Sequence, residues 1–159
     1  MRQSMYMDGI QGVQQYAQAY DTTNHIYYVA VALNSDPNTA FYYGYNLMTK
    51  KVEAKLTVPN ILHNAEFDRN GNRIIGVVND VLCYLDLKSG KFVQTSLNLA
   101  YIGFRQLGSS AIDENYYYTF YENHLVQSFF VKVDLKTLTV VNVSEIYNLV
   151  GPVVFLPGK

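Results

Sequence analysis

Three aspartates, Asp21, Asp68 and Asp113, recur 47 and 45 residues apart, each closing an apolar run and each followed by a polar turn. Carboxylates repeated at equivalent points admit two chemistries. Gathered in a ring they would coordinate a cation at a common mouth. Taken singly, each accepts hydrogen bonds from the amides of its own turn, the reason aspartate so often heads turns. None of the three lies in an Asp-x-Asp-x-Asp calcium loop, so turn-heading is the stronger reading and no metal or other cofactor is expected.

The remaining reactive side chains are few. The histidines are His25, His63 and His124. His63 and Glu66 share one strand-like stretch, and strict alternation places them on opposite faces, grouping His63 with Ala65 and leaving no metal pair. Gly108-Ser109-Ser110 is not a nucleophile elbow, and Gly9-Ile10-Gln11-Gly12 lacks the Lys-Ser/Thr of a phosphate loop. Cys83 stands alone within Val81-Leu82-Cys83-Tyr84-Leu85, the setting of a buried structural thiol. An enzyme is not the favoured reading.

Aromatic residues are abundant and lopsided, with 15 Tyr, 8 Phe and no Trp. Tyrosine suits half-buried strand faces, where its ring packs and its hydroxyl finds a partner. Tyr116-Tyr117-Tyr118, with Phe120 and Tyr121, sets rings on both faces of one strand. Half must pack inward; the rest are platforms for a sugar, a proline or a partner chain, and Tyr117 joins the candidate ligand-binding set with His63, Glu66, Asp21, Asp68 and Asp113. A net charge of −1, without long runs of one sign, gives no electrostatic case for nucleic acid or an anionic membrane. The first eight residues lack the apolar core of a signal peptide, and no stretch matches a membrane span, so a cytosolic location is the simplest expectation.

The elements that position these residues are strands. His25 to Leu33 is β-branched and aromatic with no helical period, and Val52 to Val58 alternates until Pro59 ends it. Asn34-Ser35-Asp36-Pro37-Asn38 reads as a turn, and Asn70-Gly71 is the strongest short hairpin signal. After each aspartate comes a strand and then a second turn: Asn46-Leu47-Met48-Thr49-Lys50, Asp86-Leu87-Lys88-Ser89-Gly90 and Asp134-Leu135-Lys136-Thr137-Leu138. Four short strands repeated every 40 to 50 residues is the signature of a β-propeller blade. The expected fold is therefore all-β, one domain over 1–159, with antiparallel four-stranded blades at about 12–58, 60–99 and 102–145 and an extra terminal strand at 150–157. A single up-and-down barrel of this length is the rival, but it has no reason to repeat every 45 residues.

The stretch Asp86-Leu87-Lys88-Ser89-Gly90-Lys91 resembles the hairpin between outer strands in quinoprotein-like, NHL-like and YVTN-type propeller repeats. The resemblance implies blades over residues 12 to 145 and carries no catalytic residue. The Trp-Asp mark of WD40 repeats and the paired glycines of kelch repeats are absent, and with no Trp the tryptophan sugar pockets of propeller lectins do not transfer. Closed propellers use four to eight blades. Three blades and a spare strand leave two faces open, so the expected partner is a second copy closing the ring as a homodimer or other homo-oligomer. The expected role is a non-enzymatic binding or scaffolding module that holds a protein or peptide at its channel-mouth loops. The alternatives are a glycan-binding, lectin-like module built on exposed tyrosines, and a propeller hydrolase or lyase.

Overall fold

β-branched and aromatic runs punctuated by Asp, Asn and Gly turns fold here as twelve antiparallel strands. They are β1 (Ile10–Asp21), β2 (Ile26–Leu33), β3 (Asp36–Asn46), β4 (Lys51–Val58), β5 (His63–Asp68), β6 (Arg73–Val78), β7 (Val81–Asp86), β8 (Phe92–Asn98), β9 (Arg105–Ile112), β10 (Tyr116–Glu122), β11 (Ser128–Asp134) and β12 (Thr139–Ile146). The structure is a computed structural model that describes residues 10–33, 36–103 and 105–146, with side chains at 17–31, 40–103 and 109–146. The strand expected at 150–157 lies outside the described residues.

Each run of four strands is one sheet, ordered β1-β2-β3-β4, β5-β6-β7-β8 and β9-β10-β11-β12. Three separate meanders exclude a single closed barrel. The first strands of neighbouring sheets, β1 with β5 and β5 with β9, lie against each other. They form the inner layer, and β4, β8 and β12 form the wet outer edge. On β12 the exposed positions include Val141 and Val143. Two apolar seams hold the sheets together. Ala19, Tyr28, Ala30 and Tyr42 of the first sheet meet Leu62, Phe67, Ile74 and Leu85. Ile75, Val77 and Leu82 of the second meet Tyr117, Tyr121, Val131 and Val133 of the third. Adjacent residues Ile74 and Ile75 thus serve opposite seams, as strand alternation requires.

One local expectation is revised. β3 begins at Asp36, so Pro37 sits in the first positions of a strand, where a missing N–H costs least. Asn70-Gly71 lies, as expected, in the hairpin between β5 and β6, a four-residue connection whose left-handed residue is Asn72 (φ 46°). The two-residue hairpin is Asn79-Asp80, with both φ values positive (48° and 62°), as a type I′ turn demands. Leu125 to Gln127 form a turn with Asn123, whose Oδ1 accepts from the amides of Leu125 (2.9 Å) and Gln127 (3.1 Å). That turn holds Val126 at φ 62°, a costly geometry for a β-branched residue.

Candidate functional site

The antiparallel order carries the three β1/β2-type turns and the three outer turns to one rim. Each repeated aspartate is spent on its own turn. Asp21 Oδ1 accepts from the amides of Thr23 (2.9 Å) and Asn24 (3.1 Å), and its Oδ2 from Asn24 Nδ2 (2.7 Å). Asp68 accepts from the Gly71 amide (3.0 Å) and from Arg73 Nε (2.7 Å). Asp113 Oδ1 accepts from the amides of Asn115 and Tyr116, each at 2.8 Å, and Oδ2 from the Tyr118 hydroxyl (2.6 Å). Burial would raise the Asp113 carboxyl, but these bonds, with the Lys132 charge, bring it below its ordinary value. The burial and the bond to Asp113 push Tyr118 up to about 12.

The outer turns are built to one plan. Asn46 Oδ1 takes the Met48 and Thr49 amides (2.8 and 2.9 Å), Asp86 Oδ1 the Ser89 amide and hydroxyl (2.6 and 2.8 Å), and Asp134 Oδ1 the Lys136 and Thr137 amides (2.9 and 2.7 Å). Four residues on, Lys50, Gly90 and Leu138 each take a left-handed φ of 59°, 69° and 55°. In every sheet an amide of the outer turn also bonds back to the inner one: Leu47 to His25 O, Leu87 to Asn72 O and Leu135 to Asn115 O.

Adjacent sheets are latched at this rim. Arg69 Nη2 donates to Thr22 Oγ1 (2.6 Å), tying the second sheet to the first, and Asn70 Nδ2 donates to Glu114 O (2.8 Å), tying it to the third. Arg73 adds a third tie, with Nη2 on Leu135 O (2.6 Å) and its guanidinium 4.7 Å from the Tyr84 ring centre. Between the latches are two hollows. The inner one, about 300 Å³, is lined by Tyr20, Phe67, Arg69, Ile112, Asp113 and Glu114 among others. The outer one, about 430 Å³, lies between the second and third sheets, against Asn70, Arg73, Glu114, Tyr116 and Lys136. Tyr20, Phe67 and Ile112 each directly precede a repeated aspartate, so the inner hollow has an apolar wall from three equivalent positions.

The sequence-predicted set is only partly brought together. Asp68 and Asp113 line the inner hollow, and Asp21 heads the turn beside it. His63 is exposed at the far end of β5, away from that rim. Between His63↔Val77 and Glu66↔Ile75 the pair β5/β6 carries a bulge, in which Asn64 and Ala65 oppose Gly76 and Asn64 adopts φ 50°. A Cβ on Gly76 would lie 2.7 Å from His63 O, so the bulge needs glycine opposite it. The extra residue reverses the alternation. His63 and Glu66 share the face of their partners Val77 and Ile75, and not opposite faces as the unbroken strand predicts.

Glu66 turns into the seam with the third sheet and accepts from Ser110 Oγ (2.8 Å). Burial raises its carboxyl, and the Ser110 bond offsets only part of that. Tyr117 is fully buried, so it offers no stacking platform; alternation on β10 turns 117, 119 and 121 inward. Its hydroxyl donates to Asn64 O (2.7 Å). Tyr121 is also fully buried; its hydroxyl has no partner within hydrogen-bond geometry among the described residues, and burial and then the nearby Asp80 carboxylate raise its pKa. Among the described residues no group of three or more His, Cys, Asp or Glu is placed to hold a metal. Arg69, Asn70, Arg73 and Glu114 were not picked out in the sequence. The usable signal is a cation five residues after Asp68, the reach across a four-residue connection.

No protein-family model matches the sequence, and no curated protein does. Among solved structures, the hydrazine synthase of Kuenenia stuttgartiensis is similar, with a TM-score of 0.53 and 13% identity. The likeness covers 82% of this chain and 36% of that one. The fold is that of consecutive propeller blades. The chain spans about a third of that protein's length (36%), and at this identity the likeness concerns the fold alone.

Proposed function

We propose that this chain is a non-enzymatic binding or scaffolding module that holds a protein or peptide at its latched rim. The observation that carries the reading is the rim itself. Six Asp- or Asn-headed turns, the outer three on one plan, tied across the sheets by Arg69, Asn70 and Arg73, frame two adjoining hollows of about 300 and 430 Å³. Rigid turns presenting varied side chains around a hollow suit recognition, and the three repeated carboxylates are each engaged within their own turns.

Self-assembly is the second part of the proposal. The outward faces of the first and third sheets carry partly buried rings, Tyr27, Phe41, Tyr43 and Tyr45 on one, Tyr116, Tyr118 and Phe130 on the other. Each cluster has a lysine over it: Lys55 Nζ lies 4.5 Å from the Phe41 centre, and Lys132 Nζ 3.6 Å from that of Tyr116. A second copy covering such faces would close a ring. Light scattering across a range of concentrations tests this: a dimer supports ring closure, and a monomer throughout rejects it without touching the rim reading. Glycan binding is less favoured, because Lys132 already occupies one face of Tyr116, the ring that borders the outer hollow.

A further inference from the structure

Arg69 is exposed at the inner hollow and its guanidinium has a single hydrogen-bond partner, the neutral Thr22 hydroxyl. It forms no ion pair with any described residue, whereas Arg73 is matched by Asp68. The acids beside it are differently placed. Asp68 and Asp113 are consumed by turn amides, Arg73 and Tyr118, leaving Glu114 as the lining carboxylate without a hydrogen bond. A planar, permanently charged fork with free N–H groups recognises carboxylates in two-point geometry. Tyr20, Phe67 and Ile112 supply an apolar wall in the same hollow, and 300 Å³ is the scale of one large side chain with its backbone termini.

We infer that the inner hollow binds a carboxylate carried next to an apolar side chain of a peptide, with Arg69 as its anchor and the Tyr20–Phe67–Ile112 wall as the seat of the side chain. This rests on the rim reading above and names the chemistry of its ligand. The carboxylate has two sources, a peptide's C-terminus or an internal acidic residue. Glu114, which lines the same hollow, repels a second negative charge and so selects ligands with one carboxylate at this point.

The test is an NMR titration of the full chain with three millimolar probes: acetyl-Ala-Ala-Phe as the free acid, the same peptide as its amide, and acetyl-Ala-Glu-Phe-amide. The expected result is saturable shifts at Arg69, Phe67 and Ile112 with the free acid and little response to its amide. Binding of the third probe as tightly as the first assigns the internal acidic side chain as the source; binding of the first alone assigns the C-terminus. Arg69→Gln should weaken the free acid about tenfold, and Glu114→Gln should strengthen it. A merely structural role at these positions would not give changes of opposite sign. Equal shifts with acid and amide would overturn the carboxylate assignment and leave the rim as the binding face. No shift with any probe would overturn the site.

Discussion

Tyr42 and Tyr117 reach the same stretch of chain from opposite sides: Tyr42 donates its hydroxyl to Leu62 O (3.2 Å), and Tyr117 donates to Asn64 O (2.7 Å). One comes from the first sheet and the other from the third, and both rings are fully buried. The entry into β5 and its bulge are therefore held by a phenol on each flank, which fixes the phase of the strand that feeds the rim. Tyr117→Phe removes a donor and leaves a buried carbonyl short of a partner. The expected loss is about 1–2 kcal/mol in urea unfolding, and an unchanged midpoint would show that the bond carries no net stability.

Glu66 makes stability depend on pH in an unusual direction. Its carboxyl is raised above the ordinary 4.5, mainly by burial. The folded chain therefore keeps a proton that the unfolded chain has already released. The contribution of this group is fully present below 4.5 and falls as pH rises through the higher folded value. Asp86, Asp113 and Asp134, lowered from 3.8, act oppositely and only in stronger acid, where their stabilisation is lost as pH falls. Glu66→Gln keeps an acceptor for Ser110 and should abolish the fall above 4.5 in urea midpoints measured between weakly acidic and neutral pH. A variant with the same pH profile as the parent would contradict this account.

Arg73 is the most consequential side chain of the rim for stability. It answers Asp68, which is only 2% exposed, and bonds Leu135 O on the neighbouring sheet. Arg73→Ala leaves a buried carboxylate with its cation gone, and about 3 kcal/mol should be lost. Asp68→Asn, which keeps the Gly71 bond, should cost less. Thermal unfolding of both variants ranks them, and equal loss would show that the charge pairing is not what matters.

Two backbone positions should respond in opposite ways. Gly90 has φ +69°, and the nearest neighbour to an added Cβ is Leu56 at 3.8 Å, so Gly90→Ala is penalised by conformation alone. The cost should be about 1 kcal/mol. Val126, 74% exposed at φ 62°, carries the same penalty already. Val126→Asn should recover about 1 kcal/mol, and a destabilised variant would indicate an unrecognised contact of the valine.

What was legible in the sequence followed from periodicity. Alternating apolar runs and recurring Asp and Asn turns gave the four-stranded sheets, and Asp86 to Lys91 marked the outer turn. The bulge at Asn64 was not legible, because one extra residue in a strand leaves the composition unchanged while inverting which side every earlier side chain takes. Hence unbroken alternation puts His63 and Glu66 on opposite faces. Tyr117 was misplaced for a related reason: three successive tyrosines do not reveal which phase faces the seam until the partner sheet is known. The rim latches were hidden because Arg69–Thr22 and Asn70–Glu114 join residues 47 and 44 positions apart.

The common plan of the outer turns separates form from display. An acceptor at the first position and a left-handed residue at the fifth fix the loop. Of the residues between them, Leu-Met-Thr, Leu-Lys-Ser and Leu-Lys-Thr, the fourth-position hydroxyls of Ser89 and Thr137 also bond the first-position carboxylate, and the third position bonds through its amide at most. Such loops behave as interchangeable cassettes. Exchanging the Met48-Thr49 and Lys88-Ser89 pairs would move a positive charge around the perimeter without redrawing the frame, so the rim's surface chemistry can be rewritten blade by blade.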